Sequence, residues 1–141
     1  MGRNLSVRTR RQTARGLNAR LRRVIGGRTT RGLGNRAVLA TLGTGNAAYN
    51  GFAKTPGTGG NSLTFRIVVS GNNTAQSVGV AGNAVTFNSA TNGGGTATST
   101  VNAAIDAVNR AQELIWLQRP AGSDGTSVVA AVGATALTGG A

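Results

Sequence analysis

The sequence predicts a β-rich α+β domain, a small antiparallel sheet or sandwich with one amphipathic helix, preceded by an extended and partly helical arginine-rich arm. Three observations predict it. Basic residues are concentrated in the first 36 positions, short apolar runs separated by glycine and asparagine begin near Asn46, and one later segment has apolar residues at helical spacing. A chain of 141 residues has room for one domain. We therefore divide it into an arm and linker, residues 1–45, and a domain, residues 46–141.

The arm is defined by its charge. Residues 1–36 contain eleven arginines, no lysine and no acidic residue, whereas the rest of the chain holds four basic and three acidic side chains. Like charges at this density keep an isolated segment from folding compactly. The arginines are Arg3, Arg8, Arg10, Arg11, Arg15, Arg20, Arg22, Arg23, Arg28, Arg31 and Arg36.

Part of the arm has helical periodicity. Leu17, Leu21 and Val24 recur at spacings of four and three, and Gly26-Gly27 ends the pattern. A basic helix with a narrow apolar stripe suits nucleic acid, an anionic membrane surface or an acidic protein surface. Guanidinium groups form bidentate bonds with carboxylate or phosphate. The eleven arginines and the three apolar residues are therefore our predicted partner-binding residues.

The domain opens with strands joined by tight turns. Residues 47–54 predict a first strand, and residues 62–70 the clearest one, because apolar and polar side chains alternate. Residues 77–80 and 83–88 predict a hairpin around Ala81-Gly82, since glycine supplies the positive φ of a tight turn. The alternating apolar residues of the clearest strand are Leu63, Phe65, Ile67 and Val69.

One helix and two further strands complete the prediction. Thr98-Ser99-Thr100 is typical of a helix N-cap, and the apolar spacing that follows predicts a helix over about residues 99–112. Residues 114–118 could extend this helix or form a strand, and we favour a strand. Residues 128–137 predict the last strand. Trp116 could be an interface anchor or a core residue, and the scarcity of aromatic residues favours the core.

The side-chain inventory argues against catalysis. The sequence has no cysteine and no histidine, and its acidic residues are Asp106, Glu113 and Asp124. Thiolate and imidazole catalysis are thus excluded, and three acidic residues are a poor supply for paired-carboxylate catalysis. A serine or threonine nucleophile with Lys54 as its base is left as a formal alternative. We predict a protein that is not an enzyme and has no metal, cofactor or small-molecule substrate. No apolar run reaches the length of about 18 residues needed to cross a membrane.

Four segments of the domain resemble a recurrent unit of tailed-bacteriophage virion proteins. They are FAKTPGTGGNSLTFRIV (residues 52–68), GNAVTF (82–87), the helix start TSTVNAAI (98–105) and SDGTSVVAAVGATALTGG (123–140). The resemblance implies a small α+β module of head-decoration proteins, other minor structural proteins and tail components, working in repeated assemblies. It carries over no catalytic residue, and the arm is a departure from it.

We therefore expect a virion structural protein, assembled in the host cytoplasm, that decorates or cements the phage head. The expected partners are the major capsid protein or other virion proteins, bound through the arm, and further copies in a homo-oligomer. Two alternatives stay open, a tail or neck component and a virion protein whose arm contacts DNA. Eleven arginines would neutralise phosphate as readily as carboxylate.

Overall fold

The computed structural model describes residues 34–141, which form seven strands, one α-helix and two short 3-10 turns. The helical segment expected within the arm lies outside the described residues. The elements in chain order are β1 (Val38–Leu42), β2 (Tyr49–Ala53), β3 (Thr64–Val68), β4 (Ser77–Ala81), β5 (Ala84–Asn88), α1 (Val101–Ala111), β6 (Ile115–Gln118) and β7 (Val132–Ala136).

The strands form two small sheets. One is a three-stranded antiparallel sheet in the order β1-β2-β6, and the other has four strands in the order β4-β5-β3-β7. The sheets meet where Val38 and Thr138 exchange both backbone hydrogen bonds, at 2.7 and 3.0 Å. The predicted β-rich α+β class is confirmed. The four-stranded sheet is not wholly antiparallel, because β3 and β5 run parallel.

A single core joins both sheets and the helix. β2 and β6 turn alternate residues inward, and α1 contributes its apolar face. Burial of apolar side chains of this kind supplies most of the stabilisation of a small domain. The largest fully buried side chains are Phe65, Phe87, Leu39, Ile115, Leu117 and Leu137.

The local predictions fit the structure closely. Helix α1 starts after Thr100, whose hydroxyl accepts a hydrogen bond from the backbone N–H of Ala103 at 3.2 Å. Strands β4 and β5 form the predicted hairpin, but its two-residue turn is Gly82-Asn83, one residue later than predicted. Gly82 adopts the positive φ of 57° that this turn requires. Residues 115–118 form a strand, so the choice of strand over helix extension is confirmed.

The N-terminal boundary of the folded unit differs from the prediction. Residues 38–42, which the sequence placed in the linker, form β1 and pair with β2. Ala37 and Leu39 are fully buried. The backbone carbonyl of Asn35 also accepts hydrogen bonds from the N–H groups of Gly57 and Ala141. The folded unit therefore includes residues before position 46.

Two side-chain amides, Asn109 of α1 and Gln112 directly after it, bond the edge of β6 as a neighbouring strand would. Asn109 bonds both the N–H and the C=O of Leu117, at 2.8 and 2.9 Å. Gln112 does the same for Ile115, at 3.0 and 2.8 Å. Because these backbone groups are buried, the amides satisfy polar groups that would otherwise be costly.

Replacing Gln112 with alanine is expected to lower the free energy of unfolding by about 2–3 kcal/mol, because it leaves a buried N–H and a buried C=O unpaired. Urea denaturation measures this change. Gln118→Ala, on the exposed face of the same strand, is the matched control and should cost less than about 0.5 kcal/mol. Equal effects of the two variants would show that the amide of Gln112 does not stabilise β6.

The only tyrosine should make the domain sensitive to alkali. The side chain of Tyr49 is buried, its hydroxyl has no hydrogen-bond partner within the described residues, and burial raises its pKa from 10.0 to about 12. Between these values the unfolded chain loses a proton that the folded chain keeps. Stability is therefore lost as pH rises through this interval.

Tyr49→Phe removes both the unpaired hydroxyl and this ionisation. At about pH 8 the variant should be as stable as the natural protein or slightly more so, and at about pH 11 it should keep more of its stability. Urea denaturation at the two pH values tests this. A parallel loss of stability in both proteins would show that Tyr49 is not the group responsible.

Candidate binding surface

Arg36 is the one predicted partner-binding residue that the structure describes. The remaining predicted residues, Arg3, Arg8, Arg10, Arg11, Arg15, Leu17, Arg20, Leu21, Arg22, Arg23, Val24, Arg28 and Arg31, lie outside residues 34–141. Arg36 is exposed, and its guanidinium carbon lies 5.6 Å from the centre of the Phe52 ring. The last of the predicted partner-binding arginines therefore lies beside Phe52.

Phe52 lies in an apolar row across the outer face of the three-stranded sheet. Val38 pairs with Phe52, and Phe52 pairs with Trp116, so the three side chains project from the same side of the sheet. Their neighbours Leu39, Ala53 and Ile115 are buried on the opposite side. Val38 is 51% exposed and Trp116 is 43% exposed. The prediction that Trp116 is a core residue is therefore wrong.

Two cations flank this row. Arg36 stacks on Phe52 and donates a 3.4 Å hydrogen bond to the carbonyl of Ala53. The ammonium of Lys54 lies 5.8 Å from the centre of the Trp116 ring. Cations over aromatic faces are attracted by the ring quadrupole, which helps to hold the rings in place. We call Arg36, Val38, Phe52, Lys54 and Trp116 the Trp116 face.

The ammonium of Lys54 also contacts the C-terminal end of α1. It donates to the carbonyl oxygens of Gln112 and Asn109, at 2.6 and 3.5 Å, and pairs with the exposed carboxylate of Glu113 at 3.1 Å. The end of a helix carries unpaired carbonyls and partial negative charge, so a cation there is stabilising. Lys54 therefore holds the end of α1 against the sheet and keeps its position beside Trp116.

An open groove of about 650 Å³ runs from Trp116 along α1 to the loop of residues 119–123. Its charged lining residues are Asp106, Arg110 and Arg119. Beyond the loop, the backbone N–H and hydroxyl of Thr126 donate to Asp124 at 3.0 and 2.8 Å, and these bonds lower the pKa of Asp124. The groove itself extends from the exposed indole of Trp116 to the guanidinium groups of Arg110 and Arg119.

Metal ligands and the formal nucleophile–lysine pair can both be checked within the described residues. No group of three metal-ligating side chains occurs within residues 34–141. The hydrogen-bond partners of the Lys54 ammonium there are carbonyl and carboxylate oxygens, so no serine or threonine hydroxyl is paired with it. The Trp116 face instead presents apolar side chains and two cations.

Comparisons with protein-family models, curated proteins and solved structures found no match for this chain. Within the part of the chain that the structure describes, no helix is long and apolar enough to cross a membrane.

Sequence reasoning missed most of the Trp116 face. The sequence pattern places Val38 in the linker and identifies Phe52 only as part of a strand. The alternation of Ile115, Trp116, Leu117 and Gln118 did contain a signal, because one of its two faces is wholly apolar and aliphatic. That face is the buried one.

Proposed function

We propose that the protein is a non-enzymatic structural protein of a tailed-phage particle that decorates or cements the capsid. The arginine-rich arm binds neighbouring capsid subunits, and the folded domain stays on the shell. The observation that carries the proposal is the charge distribution. Eleven arginines without one acidic residue precede a domain in which four basic and three acidic side chains nearly cancel.

The Trp116 face supports a role in binding rather than in chemistry. Exposed tryptophan and arginine are the residue types most often found at the centre of protein interfaces. Arg36, the last of the eleven arginines, rests on Phe52. A partner bound by Arg36 would therefore also meet the apolar row that contains Phe52.

The resemblance of residues 52–140 to phage virion modules is the reason for proposing a phage particle as the assembly. It favours a repeated assembly with many copies, in which weak contacts add up. A tail or neck position uses the same chemistry and is the second candidate within the particle.

The position of the protein in purified particles tests the proposal. We expect mass spectrometry to find it in stoichiometric amounts and cryo-electron microscopy to place the domain on the outside of the head. Density confined to the tail or neck, or to the DNA-filled interior, would contradict the decoration role.

DNA binding is the competing function, favoured by the same arginines. A protein that neutralises several phosphates loses affinity steeply as salt concentration rises, because bound counterions are released. Binding to random duplex DNA should therefore be measured over a salt series. If capsid protein is the partner, any DNA binding detected at about 50 mM salt should be lost near physiological salt. Capsid binding should persist at that salt concentration.

A further inference from the structure

The sheets of the domain have both covered and open edges. The outer edge of β6 is hydrogen-bonded by the side chains of Asn109 and Gln112. Val38, the first residue of β1, and Thr138, which follows β7, form backbone hydrogen bonds with each other. Strands β4 and β7 are the two terminal strands of the four-stranded sheet, and within residues 34–141 they pair with β5 and β3 respectively. An edge strand with open backbone groups is a template for another strand.

The open backbone groups of β4 can be identified from its register. Ala81 and Ala84 close the two-residue hairpin turn, so hydrogen-bonded pairs recur at every second residue from there. The N–H and C=O groups of Val78 and Val80 consequently point away from β5. Within residues 34–141, no backbone group outside the sheet bonds them.

The side chains of β4 favour close approach by a second strand. The sequence Ser-Val-Gly-Val-Ala contains no charge and no proline, the two devices that most often block sheet edges. Val80 lies beside the fully buried Val85 on the core side of the sheet, yet it is 48% exposed because no strand follows it. An added strand would cover it.

We infer that β4 is a self-association edge and that two copies of the chain pair their β4 strands antiparallel about a two-fold axis at Gly79. The sequence of β4 is nearly palindromic about this glycine, so Val78 of each copy meets Val80 of the other. The four open groups on each copy are then all paired. The result is one eight-stranded sheet across two domains.

The near-palindrome is what selects a second copy as the occupant. A two-fold interface brings the same surface of two molecules together and therefore requires a self-complementary surface. Here the Val78–Val80 pairs lie on the core side of the sheet, which continues the apolar layer formed by Val85 and Phe87. The inference concerns the domain alone and does not depend on the proposed role in a phage particle.

Gly79 gives a direct test. A Cβ atom at this position meets nothing within 4 Å, so a longer side chain fits the single copy. Across the two-fold axis, residue 79 of one copy would lie opposite residue 79 of the other, at about 5 Å between Cβ atoms. Gly79→Lys and Gly79→Glu should each raise the dimer dissociation constant of the full-length chain by about tenfold or more, through like-charge repulsion.

Mixing the two variants separates this arrangement from every other dimer. An equimolar mixture of the Lys and Glu variants should form a heterodimer about as tight as the natural dimer, because unlike charges then face each other. The matched control is Gly133→Lys in β7, where a Cβ also meets nothing within 4 Å and the added charge is the same. It should dimerise like the natural protein.

Sedimentation velocity over a concentration series up to about 1 mM, at about 0.15 M salt, measures these dissociation constants. Amide hydrogen exchange gives a second readout. Protection of the Val78 and Val80 amides should increase with protein concentration, while that of Gly79, already bonded to β5, should not. A natural chain that stays monomeric throughout, or a dimer unaffected by both charged variants at Gly79, would overturn the inference.

Discussion

Phe65→Ala is expected to lower the free energy of unfolding by about 3–5 kcal/mol. Phe65 lies on β3, between β5 and β7, and is fully buried. Its ring meets that of Tyr49 nearly edge-on, with 6.0 Å between centres. Truncation leaves a cavity that a sheet paired on both sides cannot close, so the lost contacts are not recovered. Because small domains are stable by only about 5–15 kcal/mol, this loss is a large share of the total.

Urea denaturation measures the effect, with Phe52→Ala as the matched control. Phe52 is the same residue type, but it lies on the outer face of the neighbouring sheet and is only partly buried. Its truncation should cost about 1 kcal/mol. If Phe65→Ala prevents folding, Phe65→Leu still tests the account, since a smaller loss of about 1–2 kcal/mol is expected. Equal losses at positions 52 and 65 would contradict the assignment of Phe65 to the core.

The elements specified by local sequence were predictable. Helix α1 has an N-cap threonine and apolar residues at helical spacing, and it was placed within two residues of its observed ends. The β4–β5 hairpin is fixed by a two-residue turn with glycine. Strand β3 is fixed by its alternation. In each case neighbouring residues carry the information.

Features that depend on distant residues were not predictable. Strand β1 contributes one fully buried side chain, Leu39, and it is held by β2 and by Thr138 near the other end of the chain. Its sequence is too short and too little patterned to reveal this pairing. The parallel pairing of β3 with β5 was not predictable either. It follows from the strand order, in which β4 lies at the outside of the sheet and β5 lies beside β3. No residue of either strand signals that order.

The position of Trp116 shows where composition misleads. Because aromatic residues are few, a buried tryptophan was the favoured expectation. The strand alternation decides otherwise, since Ile115 and Leu117 fill the inner face and leave Trp116 and Gln118 outside. Of the candidate site, sequence reasoning predicted the charge of Arg36 but not the aromatic row beside it. That row depends on the register of three strands.

Neutralising the arm is expected to have the largest functional effect. The variant replaces the ten arginines before Gly34 with glutamine and keeps Arg36, which contacts the domain. If each exposed ion pair contributes about 0.3–1 kcal/mol, the loss exceeds about 3 kcal/mol in total. Affinity for the capsid should then fall by more than about 100-fold. A matched variant with ten lysines keeps the charge but loses bidentate bonding, so it should bind at an intermediate level.

The most direct test of the account is the occupancy of capsids that lack the natural protein, measured after incubation with the natural protein, the glutamine variant or the lysine variant. Urea denaturation of the three proteins controls for folding and should give the same stability. We predict full occupancy by the natural protein, partial occupancy by the lysine variant and almost none by the glutamine variant. Normal occupancy by a folded glutamine variant would contradict the claim that the arm attaches this protein to its assembly.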